Sequence, residues 1–321
     1  MRDKDLLMKK FTTHSVVCAG ALLAACCLFA AGCRHLARYN LLNPQINFYR
    51  KARLLPARKD ITDLLQKQKD EGRADHISVY FQALDTGYSV GIEEQEGFIP
   101  ASLMKLYLAM SILRTAEKEP GSLEVKVVYN NLEGEAPAGS LPMQEIPAAE
   151  KLRIGETYTI DRLLTQMLVF SDNNATYNLR ARYSKAALER TYRVFGLRVP
   201  ESGEFHITVK QYMMIFLSLY NSTYLTPEMS QKILGHLLRT RFRAGLAAGL
   251  PPGVRLANKF GERKIIWPSG TTMQLHDCGV IYHGKSPYIL GVMTRGRDPE
   301  KLAGVISEIS ALVYKEVSRQ P

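Results

Sequence analysis

The order of strand-like and helix-like segments predicts an α/β (α+β) fold: a five-stranded antiparallel sheet flanked by helices, with an all-helical subdomain inserted in the middle. Three observations carry this expectation. Two β-rich runs near residue 80 precede an apolar helical stretch, the chain from about 160 to 240 reads as helices alone, and three further strand-like runs are closed by a long amphipathic segment. At 321 residues, 46% hydrophobic and 23% charged, the chain has an ordinary globular composition and the length for a substantial core.

Taken in order, the elements begin with a helix from about Asp60 to Lys69, where Ile61, Leu64 and Leu65 share a face. HISVYFQALDTGYSVGIEE then reads as a hairpin turning at Asp85-Thr86-Gly87. Pro100 sets up a helix start, and Leu103 to Leu113 continues at helical spacing. The Gly-, Pro- and Glu-rich stretch from Pro120 to Ile154 has little periodicity. Helices resume at TIDRLLTQMLVF, with Thr159 and Asp161 as the start signal, and follow at 185–195, 207–220 and 226–239. VRLANKF, MQLHDCGVIYH and YILGVMTRG supply the last three strands, and 298–318 the closing helix. The sheet subdomain is thus expected at 75–118 and 250–321 and the helical one at 119–249, after a tether and first helix at 34–74.

Residues 1–33 read as an export or anchor segment. Arg2, Lys4, Lys9 and Lys10 precede an uncharged run from Ser15 to Gly32, short for a bilayer span and long for a cleaved signal core. The run ends Ala-Ala-Gly-Cys, which resembles a bacterial lipobox with Cys33 as the lipidated residue; Ala30 stands where that motif usually has a larger aliphatic residue. A lipid at Cys33 and an uncleaved transmembrane helix stay open, ahead of simple cleavage and release; all three place residues after about 35 outside the cytoplasm, and the first two tether the folded part to the membrane in the cell envelope. The same segment explains the net charge of +11: residues 1–59 carry eleven Lys/Arg and two Asp/Glu, and the rest is nearly neutral. A nucleic-acid-binding face is therefore not expected. Cys278 is the single cysteine after Cys33, so neither a disulfide framework nor a thiolate metal centre is expected, and the reading of Cys278 is a small buried apolar residue.

Three short motifs carry chemistry. In Ser102-Leu103-Met104-Lys105, residues three apart on a helix share a face, so the lysine amine lies beside the serine hydroxyl, which needs a neighbouring base to become nucleophilic. Ser-x-x-Lys alone is expected about once by chance in a chain this long. Here Pro100-Ala101 puts Ser102 in a first turn, where free backbone N–H groups favour developing negative charge. Ser171-Asp172-Asn173 follows an apolar helix; it is also good turn and capping material, but offers Ser171 as a proton-shuttling hydroxyl, Asn173 as an orienting amide and Asp172 as a loop tie. Lys259-Phe260-Gly261 sits in a predicted strand, where the glycine marks a close approach and the lysine attracts an anionic group and lowers the Lys105 pKa by charge repulsion.

The order Ser-x-x-Lys, Ser-Asp-Asn, Lys-x-Gly resembles class A β-lactamases and penicillin-binding proteins. The resemblance spans about 75–317 and extends to the flanks: IPASLMKLYLAMSIL is similar to their nucleophile helix, FRAGLAAGLPPGVRLANKFG to the approach to their Lys-Thr-Gly strand, and HDCGVIYHGKSPYILGVMTRG to their last two sheet strands. It implies a serine hydrolase that forms an acyl-enzyme on a β-lactam or related D-amino-acid amide, with no metal and no cofactor. Ser102 would be the nucleophile, Lys105 the base or relay, Ser171 the donor to the leaving nitrogen, and Asn173 the orienting amide. The backbone N–H groups of Ser102 and Glu262 would form the oxyanion hole, and Lys259 and Gly261 would lie at the substrate carboxylate.

Two departures qualify the resemblance. Phe260 replaces the family's threonine or serine, so the hydroxyl that helps bind the substrate carboxylate is missing, and the ring is expected to narrow or line the cleft instead. No Glu-x-x-x-Asn occurs between Ser171 and Lys259; GLRVPESGEFHIT looks shortened and leaves Glu201 and Glu204 as the nearby carboxylates, each expected to be a solvated loop residue. Slow deacylation is the expectation. The alternatives are a D,D-carboxypeptidase or peptidoglycan-remodelling hydrolase, a non-catalytic envelope sensor of penicillin or peptide, and a general esterase.

Overall fold

Strand β1 (His76–Ala83) alternates Ile77, Val79, Phe81 and Ala83 on one side with Tyr80 on the other, and both sides are buried. That double burial is why the strands of this sheet read as near-continuous apolar runs. β1 pairs with β2 (Ser89–Ile92) and with β9 (Tyr288–Gly296); β9 pairs with β8 (Gly270–Tyr282) and β8 with β7 (Arg255–Trp267). The result is one five-stranded antiparallel sheet in the order β2-β1-β9-β8-β7, as the sequence predicts. This computed structural model describes residues 40–42, 58–132, 144–200, 203–267, 270–284 and 286–319. The Ser15–Gly32 run, Cys33 and Glu201 lie outside them. No helix among the described residues is long and apolar enough to cross a membrane.

One face of the sheet packs under helix α1 (Arg58–Asp70) and the C-terminal helix α8 (Pro299–Ser318), with Ile61, Val79, Phe81, Val292, Ile306 and Ile309 in one core. The other face, through Ala257, Cys278, Val280, Ile289 and Met293, joins a second core built by α2 (Met104–Ala116), α3 (Ile160–Val169), α6 (Val209–Asn221) and α7 (Pro227–Leu237). Caps fix where the helices start: the Thr159 hydroxyl accepts from Arg162 N, Thr208 and Gln211 form a capping box, and Asp298 caps α8 ahead of Pro299. Leu41 and Leu42 are buried, and Leu41 donates to Gln231 Oε1 and accepts from the Tyr282 hydroxyl, which ties the tether's end to the body.

One helix beside the site has no counterpart in the sequence expectation. α4 (Asn173–Arg182) has so few apolar residues that its buried face is polar: Asn174 and Asn178 join Ala175 and Leu179. Those asparagines are satisfied by the loop opposite. Both Nδ2 groups donate to Asn130 O at 2.8 Å, Asn130 N donates to Asn178 Oδ1 at 3.0 Å, and Leu132 N to Asn174 Oδ1 at 2.7 Å. This hydrogen-bonded seam seats the Tyr129 region beside the Ser171 turn. The remaining helix of this layer, α5 (Lys185–Val194), packs against α2. Two short ribbons complete the fold: β3 (Gly97–Phe98) pairs with β6 (Ile207–Thr208), and β4 (Lys126–Val128) with β5 (Thr157–Thr159).

Candidate active site

Ser102 lies in a single 3-10 turn, Ala101–Leu103, that feeds directly into α2. The turn closes with Leu103 N donating to Pro100 O at 3.0 Å, and Ala101 carries a left-handed φ of 48°. A non-glycine residue there is uncommon and is held by its surroundings. Gly261 of β7 supplies that hold: a Cβ at this position would stand 2.8 Å from Pro100 O, 3.0 Å from Leu103 Cγ and 3.2 Å from Leu103 N. The close approach expected of this glycine is therefore made by the Ser102 turn. It also brings Glu262, the next residue, to the wall of the same cleft.

That cleft has a volume of about 340 Å³ and is lined by Ser102, Lys105, Asn173 and Glu262 among others. An adjoining groove of about 510 Å³ is lined by Ser171, Asp172 and Tyr129; Asn173 lines both. Lys105, one turn along from Ser102 and only 6% exposed, donates from Nζ to Asn173 Oδ1 at 2.6 Å, to Ser171 Oγ at 3.2 Å and to Ser171 O. Lys259, fully buried, donates to Ser171 Oγ at 2.9 Å and to Phe260 O at 2.9 Å. The Ser171 hydroxyl thus sits between two lysine amines. Both its lone pairs are engaged, which leaves its proton to be given away. Burial, and then the charge of Lys105, pushes the Lys259 pKa well down from its ordinary value.

The Ser171 turn is shaped for this. Ser171 has a left-handed φ of 57°, and Asp172 is the N-cap of α4, accepting from Ala175 N at 2.8 Å and from the Tyr129 hydroxyl at 3.1 Å. Asp172 is therefore the loop tie the sequence suggests.

The structure revises two sequence expectations, those for Phe260 and Lys259. Phe260 does not line the cleft. Residues alternate across a strand, so while Lys259 points to the helical side, the Phe260 ring enters the core beneath α8 and stacks on Phe242 with centroids 4.3 Å apart. It still shapes the surroundings of Lys259, whose Nζ bonds to the Phe260 carbonyl and lies 4.6 Å from the ring centroid. Lys259 in turn lines neither cavity; it meets the site through its hydrogen bond to Ser171 Oγ and through the charges of Lys105 and Glu262. Glu204, by contrast, is the solvated loop residue the sequence suggests: it is exposed, beside His206, and absent from the cleft wall. Residues the sequence did not single out complete that wall: Tyr177 and Arg180 from α4, Leu188 and Tyr192 from α5, and Arg263 from β7. Tyr177 and Arg180 had no signal because their helix has none.

Beneath Lys259, Asp277 accepts from Asn258 Nδ2 at 2.8 Å and Leu246 N at 2.9 Å; burial, partly offset by these bonds, pushes its pKa up to about 6. Its neighbour His276 donates from Nε2 to Ile99 O and accepts from Thr294 N, and burial holds its pKa down at about 4. Their effects on stability oppose each other. A histidine lowered on folding loses stability as pH falls from about 6.5 towards 4, whereas a carboxyl raised on folding gains it as pH falls from about 6 towards 4. Asp277→Asn is expected to steepen the acid loss of stability between pH 6 and 4 by roughly 3 kcal/mol in total. Urea midpoints across that range read this out, and wild-type and variant profiles that run parallel would contradict it.

Fold and site together define a serine hydrolase with a β-lactamase-like fold. A family profile described as "Beta-lactamase enzyme family" matches residues 56–317, and the chain belongs to that family. Solved structures agree on the fold. A point mutant of PBP-A, captured as an acyl-enzyme complex with penicillin G, superposes with a TM-score of 0.68 at 20% identity over 84% of this chain and 100% of its own. The TLA-1 extended-spectrum β-lactamase gives 0.68 at 18% over 81% and 98%, and a class A β-lactamase from Mycobacterium abscessus 0.67 at 21% over 80% and 99%. A comparison with curated proteins gave no match.

Proposed function

We propose that Ser102 forms an acyl-enzyme on a β-lactam or a related D-amino-acid amide, and that the adduct is released slowly. The observation that carries this reading is the Ser171 hydroxyl held between Lys105 and Lys259, in the groove that adjoins the Ser102 cleft through Asn173. In the acylation step Lys105 acts as a neutral amine that gives up one of its three donated hydrogen bonds; Ser102 Oγ bonds to the amide carbonyl carbon, and its proton passes to the freed lone pair of Lys105 Nζ. The carbonyl π electrons move onto oxygen, which the N–H groups of Ser102 and Glu262 stabilise. Collapse breaks the C–N bond as Ser171 gives its proton to the departing nitrogen and is reprotonated from the lysine side, leaving an ester on Ser102. Asn173 keeps the Lys105 amine in register through its Oδ1.

Release needs a water activated by a base. Among the described residues lining the cleft Glu262 is the one carboxylate, and it stands on the strand side beside Arg263, not with Lys105 and Asn173 on the helical side. The acyl-enzyme is therefore expected to outlast the acylation step, as suits a penicillin binder more than an efficient lactamase.

Fluorescent penicillin should label the wild type and leave Ser102→Ala unlabelled, with the wild-type adduct persisting in intact-mass spectra for minutes or longer. Equal binding by both proteins would point to a non-covalent sensor and end the covalent reading. Rapid, complete hydrolysis without a detectable adduct would overturn slow release alone.

A further inference from the structure

The part of the cleft beyond the reacting centre is cationic and aromatic. Arg180 enters it from α4 and Arg263 from β7, both exposed, and among the described residues neither guanidinium has a hydrogen bond or ion pair. Arg180 lies close enough to Tyr192 for its charge to act on that phenol, and Tyr177, 43% exposed, stands one turn before Arg180 on the same helix. Leu188 adds an apolar patch. The two guanidiniums face one carboxylate, Glu262, in a volume of about 340 Å³. Low-dielectric walls around charge of one sign concentrate an oppositely charged ligand. A guanidinium beside an aromatic face suits a carboxylate carried next to a ring or an apolar group.

We propose that Arg180 and Arg263 form a subsite for the acyl arm of the substrate, and that the preferred arm bears a carboxylate beside an aromatic or apolar group. This rests on the acyl-enzyme reading above and adds to it the charge of the substrate. Arg180 and Arg263 select; they take no part in bond making. The arm belongs to the acyl half that stays on Ser102, so the preference shows in the rate of adduct formation.

Benzylpenicillin and carbenicillin form a matched pair, because the second differs only by a carboxylate on the phenylacetyl arm. Rates of adduct formation at Ser102 are measured by intact mass for the wild type, Arg180→Glu and Arg263→Glu, and the carbenicillin-to-benzylpenicillin ratio is compared. The ratio should fall about tenfold on reversing Arg180, the sum of modest exposed charge interactions. In the wild type it should shrink as salt is raised. Both positions are exposed, so unchanged thermal midpoints are expected and distinguish lost selection from lost folding. A ratio unmoved in both reversals, with benzylpenicillin still labelling Ser102, overturns the subsite alone. If neither penicillin labels Ser102, the acyl-enzyme reading falls and takes the subsite with it.

Discussion

Lys105→Met should slow acylation of Ser102 by about 10³-fold, the range that a positioned general acid–base group contributes. A serine hydroxyl is a poor nucleophile until a neighbour takes its proton, and Lys105 is the basic side chain one helical turn away in the same cleft. Its amine is pinned by Ser171 O, by Ser171 Oγ at 3.2 Å and by Asn173 Oδ1 at 2.6 Å, so its position is not a matter of chance rotamers. Methionine keeps the length and the packing of a side chain that is only 6% exposed, and removes the proton acceptor. The acceptors left behind will cost about 1–3 kcal/mol of stability, which urea unfolding can separate from the kinetic loss. Acylation by benzylpenicillin within tenfold of wild type would mean that another group activates Ser102.

Much of this arrangement is legible in the sequence. Strand periodicity around residue 80 and after residue 254 marks the sheet, because buried strands need apolar side chains on both faces and helices of the insertion repeat theirs every three to four residues. The three motifs place Ser102, Lys105, Ser171 and Asn173 where the structure brings them together around two adjoining cavities. What escapes is everything whose driving force is polar or whose direction depends on strand phase. α4 is held by Asn174 and Asn178 against the backbone of Asn130, and amides at those spacings look like loop sequence. Phe260 follows the same logic. Its chemistry suggests a cleft wall, but one step along a strand turns a side chain to the opposite face, where Phe242 receives it.

Gly261→Ala should cost acylation about 100-fold, although the residue has no side chain and no proton to give. The added Cβ would meet Pro100 O at 2.8 Å and Leu103 N at 3.2 Å, backbone atoms on either side of Ser102 that cannot swing away as a side-chain tip would. β7 is hydrogen-bonded to β8 along its whole length, from Arg255↔Tyr282 to Trp267↔Gly270, so the strand resists the shift. The turn is the softer partner, a single 3-10 turn closed by Leu103 N to Pro100 O and Met104 N to Ala101 O, and already holding Ala101 in the left-handed region. Displacement therefore falls on Ser102, and a nucleophile moved by a fraction of an ångström to an ångström loses about this much rate. Overpacking adds roughly 1–3 kcal/mol of destabilisation, too little by itself to mimic the kinetic effect if the variant is assayed well below its unfolding midpoint. The decisive comparison is with the oxyanion site. If the turn has moved, the N–H of Ser102 moves with its hydroxyl, and a transition-state analogue such as a boronic acid should lose affinity in parallel with the acylation rate. Full boronate affinity beside slowed acylation would place the damage elsewhere, and wild-type rates would show that β7 yields and the turn does not.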